Sequence, residues 1–246
     1  HKNRLWVATN FGLSVFHPKK NTFKTIVTPN MQGRKKVVTL FQGRDNKIWI
    51  GTQQGLAYYP PRNGQLRYYD VPGGNKQGKN VVLSVAQIST DSLVIGTLNG
   101  PIKFCISNQS FSYFPEPLDQ LEGAVINDIA IAPNKKTWFA TNQGAYLYSP
   151  GKQTLQHFSK KNSGFLSDII SDIQLGKDGT VWFATNYGLS QYKHGVFTNF
   201  NAQDNSRRHL LGNLVRRVFE DRTGVIWVAQ VGGVSHYDPN QSKFSG

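Results

Sequence analysis

The sequence predicts an all-β fold: a β-propeller in which six four-stranded blade repeats are visible within 246 residues. Three observations predict it. Six twelve-residue segments align without a gap, their starts step by 43, 45, 44, 44 and 45 residues, and their columns share one physical pattern. A period near 44 residues with four short strands in each copy is the pattern of propeller blades. The segments are LWVATNFGLSVF from Leu5, IWIGTQQGLAYY from Ile48, LVIGTLNGPIKF from Leu93, TWFATNQGAYLY from Thr137, VWFATNYGLSQY from Val181 and IWVAQVGGVSHY from Ile226.

Each column has a reading. The second holds Trp6, Trp49, Val94, Trp138, Trp182 and Trp227, large residues where neighbouring repeats meet. The fourth is Ala8, Gly51, Gly96, Ala140, Ala184 and Ala229, small side chains that close sheet packing demands. The eighth is always glycine and usually follows a polar pair, which marks a tight hairpin needing positive φ. The twelfth is always Phe or Tyr.

The other strands follow in order. Phe23 with Ile26, Leu66 with Tyr69, Phe111 with Phe114, Leu155 with Phe158, and Phe197 with Phe200 recur downstream as a fourth strand, d. Apolar stretches upstream, such as 81–85, 125–129, 169–173 and 214–218, supply the innermost strand, a. A turn such as Lys177-Asp178-Gly179 leads from a into the tryptophan strand b. No segment carries a helical period. The sequence thus reads as one propeller domain over residues 1–246, its repeats centred on the second column. It enters at strand b, so the first strand a would come from beyond Gly246. Alternatively the first blade is three-stranded, or the chain is a piece of a larger propeller.

Composition bounds the function classes. With 38% hydrophobic and 12% aromatic residues the chain can bury a core, unlike a disordered segment. No run of 18 apolar residues exists to span a membrane, and no secretory signal is visible at His1, as would also hold for a trimmed fragment. Cys105 is the sole cysteine, which excludes an intrachain disulfide and leaves the redox compartment open. Twenty-eight basic against fourteen acidic residues give a net charge of +14, which favours anionic partners in general. Nucleic acid is not expected, because the basic residues are spread over several loops without a dense arginine tract.

The repeats resemble the two-component regulator propeller repeat, closest in SDIISDIQLGKDGTVWFATNYGLSQY from Ser167 to Tyr192 and in Arg44 to Tyr59. Val94, Pro101 and Gln230 depart from that pattern. The resemblance implies a β-propeller sensor region, periplasmic, in a membrane-anchored bacterial regulator of the hybrid histidine kinase or diguanylate cyclase kind. It implies a small-molecule or oligosaccharide ligand, downstream signalling domains in the same protein, and compatibility with a homodimer.

Catalytic motifs are scarce. Gly73 to Asn80 nearly spells a phosphate-binding loop, but Asn80 stands where Ser or Thr is required and the next residues read as a strand. The six histidines never take metal-ligand spacing, so no metal and no cofactor are expected. Ten residues before the second column lie Thr39, Ser84, Asp128, Asp172 and Arg217, polar residues expected to line the axial channel. Asp128 and Asp172 read as an acid–base or cation-holding pair. The favoured alternative is a hydrated lining whose charge Arg216 or Arg217 offsets.

Ligand contacts are expected on the face of b–c turns and d–a loops, since binding residues gather on loops over rigid scaffolds. The turns contribute Asn10, Phe11, Gln53, Gln54, Asn99, Asn142, Gln143, Asn186 and Tyr187; the loops contribute Arg34, Lys35, Lys36, Arg207 and Arg208. Amides beside aromatics suit sugar hydroxyls and apolar sugar faces, while Asn and Gln are equally good turn residues. The expectation is a non-catalytic module that senses an anionic or carbohydrate ligand. The competing reading is a propeller-fold polysaccharide lyase or hydrolase using Asp128 and Asp172.

Overall fold

Short alternating runs bounded by glycine and Asx turns form strands and nothing else of length. The computed structural model describes residues 4–26, 36–60, 66–73, 80–203, 210–239 and 243–245. Among these, the helical turns are two 3-10 segments, Pro18–Lys20 and Leu118–Leu121.

The chain divides into two compact units, residues 1–115 with 119–123 and residues 116–118 with 124–246. The first unit holds three antiparallel sheets. One contains β1 (Leu5–Thr9), β2 (Gly12–His17) and β3 (Thr22–Ile26); the next contains β4 (Val37–Gln42), β5 (Ile48–Thr52), β6 (Gly55–Tyr59) and β7 (Arg67–Tyr69). The third contains β8 (Val82–Gln87), β9 (Ser92–Thr97), β10 (Gly100–Cys105) and β11 (Ser110–Tyr113).

The second unit repeats the plan. Its sheets are β12 (Ile126–Ile131), β13 (Thr137–Thr141), β14 (Gly144–Ser149) and β15 (Thr154–Phe158); then β16 (Ile170–Leu175), β17 (Val181–Thr185), β18 (Gly188–Lys193) and β19 (Val196–Phe200). The last contains β20 (Val215–Glu220), β21 (Ile226–Gln230), β22 (Gly233–Asp238) and β23 (Lys243–Ser245). Strand order follows chain order in every sheet. The fold class is therefore the expected one, six blade sheets of a β-propeller, the first with three strands among the described residues.

Side chains join successive sheets. Four of the five tryptophans meet the aromatic that closes the following sheet's twelve-residue segment: Trp6 and Tyr59 at 5.1 Å between ring centroids, Trp49 and Phe104 at 5.5 Å, Trp138 and Tyr192 at 5.5 Å, Trp182 and Tyr237 at 5.6 Å. Such pairs add about 0.5–1.5 kcal/mol each beyond the area they bury. Small fourth-column residues permit the approach. A Cβ on Gly51 would lie 2.5 Å from Thr39 Cγ2 and 2.8 Å from the Val82 carbonyl of the next sheet.

The eighth-column glycines all take positive φ, from 103° at Gly100 to 144° at Gly233. Gly144 and Gly188 have a second reason, because a Cβ would fall 2.2 and 2.3 Å from the Phe158 and Phe200 carbonyls.

Two residues depart from their columns. Ala8 is exposed, because β1 is an edge strand with no inner strand beside it among the described residues. Trp227 is 42% exposed where Trp49 and Trp182 are 2%. Its ring lies over His236 of its own sheet, and its Nε1 donates to Asp221 Oδ2 at 2.9 Å.

Ala184→Leu should overpack the contact with the sixth sheet, where Ala184 packs beside Val215, and cost about 1–3 kcal/mol in denaturant unfolding. Ala140→Leu should behave alike, whereas Ala8→Leu should leave the midpoint within about 0.5 kcal/mol. Equal effects at all three positions would contradict this packing.

Candidate functional site

The b–c turns are held by a threonine at the end of strand b. In the fifth sheet Thr185 Oγ1 donates to the Gly188 carbonyl at 2.8 Å and accepts from the Tyr187 amide at 3.1 Å. Thr9, Thr52, Thr97 and Thr141 make the same pair of bonds. Gln230 stands there in the sixth sheet and bonds Ser235 Oγ instead. These staples present the two turn residues outward on a rigid hairpin.

Exposure separates the expected turn residues. Phe11 is 86% exposed and Tyr187 41%, with Asn10, Gln53, Asn99, Asn142, Gln143 and Asn186 also exposed and Gln54 half-buried. Some amides are occupied. Asn142 Oδ1 accepts from the Val125 amide at 3.1 Å, and Asn186 Oδ1 accepts from Ser167 Oγ, so each ties its turn to the loop entering its own strand a. The Gln143 carbonyl bonds His157 Nε2 at 2.7 Å, and Tyr187 donates its hydroxyl to Gln203 Oε1 at 3.0 Å. Among the described residues the turn side chains bond their own loops, not one another. Lys36 is exposed, while Arg34, Lys35, Arg207 and Arg208 lie outside the described residues, as does most of the Gly73 to Asn80 segment.

The polar column on strand a has a common geometry. Each inner strand carries a bulge, between Val37 and Thr39, Val82 and Ser84, Ile126 and Asp128, Ile170 and Asp172, and Val215 and Arg217. A bulge leaves one residue unpaired in its ladder and re-aims its neighbours. In the second unit those side chains reach the next sheet's backbone. Asn127 Nδ2 donates to the Ile170 carbonyl at 2.7 Å, and Asp128 Oδ2 accepts from the Ile173 amide at 3.0 Å. One sheet on, Ser171 Oγ donates to the Val215 carbonyl at 2.9 Å and Asp172 Oδ2 accepts from the Val218 amide at 2.8 Å. Arg217 donates to Asp172 Oδ1, forming an ion pair.

The structure thus brings Asp128, Asp172 and Arg217 together, with Thr39 and Ser84 in the same register of the first unit, opposite Gly51 and Gly96. The electrostatics are uneven. Desolvation, joined by the charge of Asp172, pushes Asp128 up to about 7, while Arg217 sits against Asp172. A carboxyl held near neutrality can donate or accept a proton, which is the chemistry an acid–base role needs. Its other duty, accepting the Ile173 amide, is structural.

Sequence reasoning missed a cleft of about 550 Å3 between the fifth and sixth sheets, at the strand ends opposite the b–c turns. Its lining, Lys177, Asp178, Gln191 and Glu220 among others, belongs to a–b turns and to strand ends beside them. Among the described residues no group of three or more His, Cys, Asp or Glu could hold a metal ion.

No protein-family model matches the sequence, and no curated protein does. Solved structures do. The extracellular domain assigned to the hybrid two-component system BT3049 from B. thetaiotaomicron superposes with a TM-score of 0.77 at 19% identity, over 95% of this chain and 32% of that one. The extracellular domain of the one-component system BT4673 from the same organism gives 0.60 at 18%, over 99% and 40%. A catalytically inactive virginiamycin B lyase from Staphylococcus aureus, solved with quinupristin, gives 0.77 at 12%, over 99% and 80%. The likeness shows the fold. This chain spans about two fifths or less of the length of the first two.

Two outcomes are expected. A carboxyl whose pKa is raised by folding weakens the folded state as pH climbs from about 4, its unfolded value, through about 7. Asp128→Asn keeps the acceptor for Ile173 and removes that loss, so its melting temperature should exceed the parent's at pH 8 and match it near pH 4. Thr185→Val should cost about 1–3 kcal/mol by stranding the Gly188 carbonyl and the Tyr187 amide, measured by denaturant unfolding.

Proposed function

We propose that the six blades act as one domain, the non-catalytic, extracytoplasmic, ligand-sensing propeller of a bacterial signal-transduction regulator. The ligand is anionic or a carbohydrate, held on the face of b–c turns and d–a loops, and its binding is passed to signalling domains of the same protein.

One observation carries this reading. Threonine staples fix the b–c hairpins, yet those hairpins hold Phe11 and Tyr187 out in solvent beside exposed amides. Rigid presentation of exposed aromatics is a binding arrangement, since burying them in the free protein would be favourable. The charge of +14 adds long-range attraction for an anion. The extracellular domains of two-component systems that share the fold support the signalling context and the location.

The lyase reading rests on the shared fold with virginiamycin B lyase and on the raised Asp128 carboxyl. Against it, both carboxylates already accept backbone amides of the next sheet, and Asp172 also holds Arg217. A hydrolase or lyase needs an acid, a base and a charge stabiliser converging on one reacting atom.

Sulfated or uronic-acid oligosaccharides should bind in titration calorimetry, and raising salt from about 0.05 to 0.5 M should weaken that binding at least tenfold. Phe11→Ala with Tyr187→Ala should remove it. Equal binding of neutral sugars would leave only the carbohydrate part of the proposal. New reducing ends or unsaturated uronic products, lost in Asp128→Asn or Asp172→Asn, would establish the enzyme instead.

A further inference from the structure

The cleft between the fifth and sixth sheets is not a by-product of blade stacking. Its lining includes the half-buried Tyr237 beside the buried Trp182 and Ile226, and its volume of about 550 Å3 falls in the range of small-molecule sites, roughly 300–1,000 Å3. Two corresponding junctions, between the second and third and between the fourth and fifth sheets, are filled by apolar side chains. Nine residues after the second column stand Val15, Tyr58, Lys103, Leu147, Gln191 and His236. Tyr58 lies 5.3 Å from Trp49 and 6.3 Å from Tyr69, packed with Ile106 against the apolar cluster of the second and third sheets. Leu147 is 5% exposed in the cluster that contains Trp138. Gln191 is half-buried, and Pro239 takes the place that Ile106 fills. A polar residue where the second and fourth sheets pack Tyr58 and Leu147 is what opens the space.

The polar groups around it are arranged but not exhausted. The Lys177 amide donates to Glu220 Oε2 at 3.0 Å, and Lys177 Nζ donates to the Asp221 and Arg222 carbonyls at 2.9 and 3.0 Å. Lys193 is paired with Asp178, whose pKa burial would raise but whose bonds to Lys193 and Thr180 hold it down at about 2. The Asp178 carboxylate therefore stays ionised at neutral pH. The Arg222 side chain, on an exposed residue, and the Gln191 carboxamide have no bonding partner among the described residues. Three cations against two carboxylates leave the lining with one net positive charge. An aromatic ring at Tyr237, one spare cation and one spare amide form a complete recognition set.

We propose that this cleft binds a small ring-bearing organic monoanion, its anionic group at Arg222, its ring against Tyr237, and a polar substituent on Gln191. The site lies at the strand ends opposite the b–c turns, and it does not depend on the ligand proposed for that face.

The test is a titration of the intact chain with para-hydroxybenzoate, followed by tryptophan fluorescence and by the thermal midpoint. A saturable response in the millimolar range or tighter is expected. Gln191→Tyr, which copies Tyr58, should abolish it without lowering the midpoint of the free protein, and Gln191→Leu, which copies Leu147, provides the same test with a smaller side chain. Arg222→Ala should weaken binding about tenfold, and neutral para-hydroxybenzyl alcohol should bind about tenfold more weakly to the parent, as expected for a charge-assisted hydrogen bond. Tyr187→Ala on the turn face should change nothing. No saturable response by about 10 mM would overturn the proposal. So would a response that both Gln191 variants retain, or one that Tyr187→Ala removes.

Discussion

Among the described residues the six sheets share no ladder hydrogen bonds, so what joins one to the next comes largely from side chains. This constraint organises the molecule. The broad contact is aromatic, with each tryptophan of a described pair set against the ring that ends the following sheet's hairpin. Rings can approach because Gly51, Ala140 and Ala184 leave room beside them. The narrow contacts are polar and sit at the inner strands, where bulges turn Asn127, Asp128, Ser171 and Asp172 toward neighbouring backbone. A third stitch closes the outer end of strand a. Gln87 Oε1 accepts from the Arg44 amide at 2.8 Å, and Glu220 takes the equivalent bond from Lys177.

Much of this was legible in the sequence because period and column are local. Six glycines in register announce six hairpins whatever surrounds them, and the tryptophan column announces contact between repeats. The bulges were not legible. Counting back from the tryptophans finds Asp128 and Asp172 but cannot show that an unpaired residue precedes each, since a bulge changes pairing and leaves spacing alone. Ala8 and Trp227 were misjudged for a related reason: a column predicts burial only where a neighbouring strand or sheet supplies the other wall.

The turn amides show where composition stops informing. Asn142 and Asn186 look alike in sequence to Asn10 and Asn99, yet the first two hold their own loops in place. Identity at a turn does not tell which lone pair is already taken. The cleft residues went unseen from the other direction. Gln191 falls in a column with no rule of its own, and its meaning appears only against Tyr58 and Leu147, once the space each occupies is known.

The inner-strand bonds of the second unit have a direction. Asn127 and Asp128 act on Ile170 and Ile173, and Ser171 and Asp172 act on Val215 and Val218, always from one sheet to its successor. The next position in the series is Arg217, which has no acceptor to offer and turns back to Asp172. Injury to one of these side chains is therefore felt downstream in the chain. The amides of Ile173 and Val218 owe their shelter from solvent exchange to residues about 45 positions earlier, while the sheet that carries the altered residue keeps its own ladder intact.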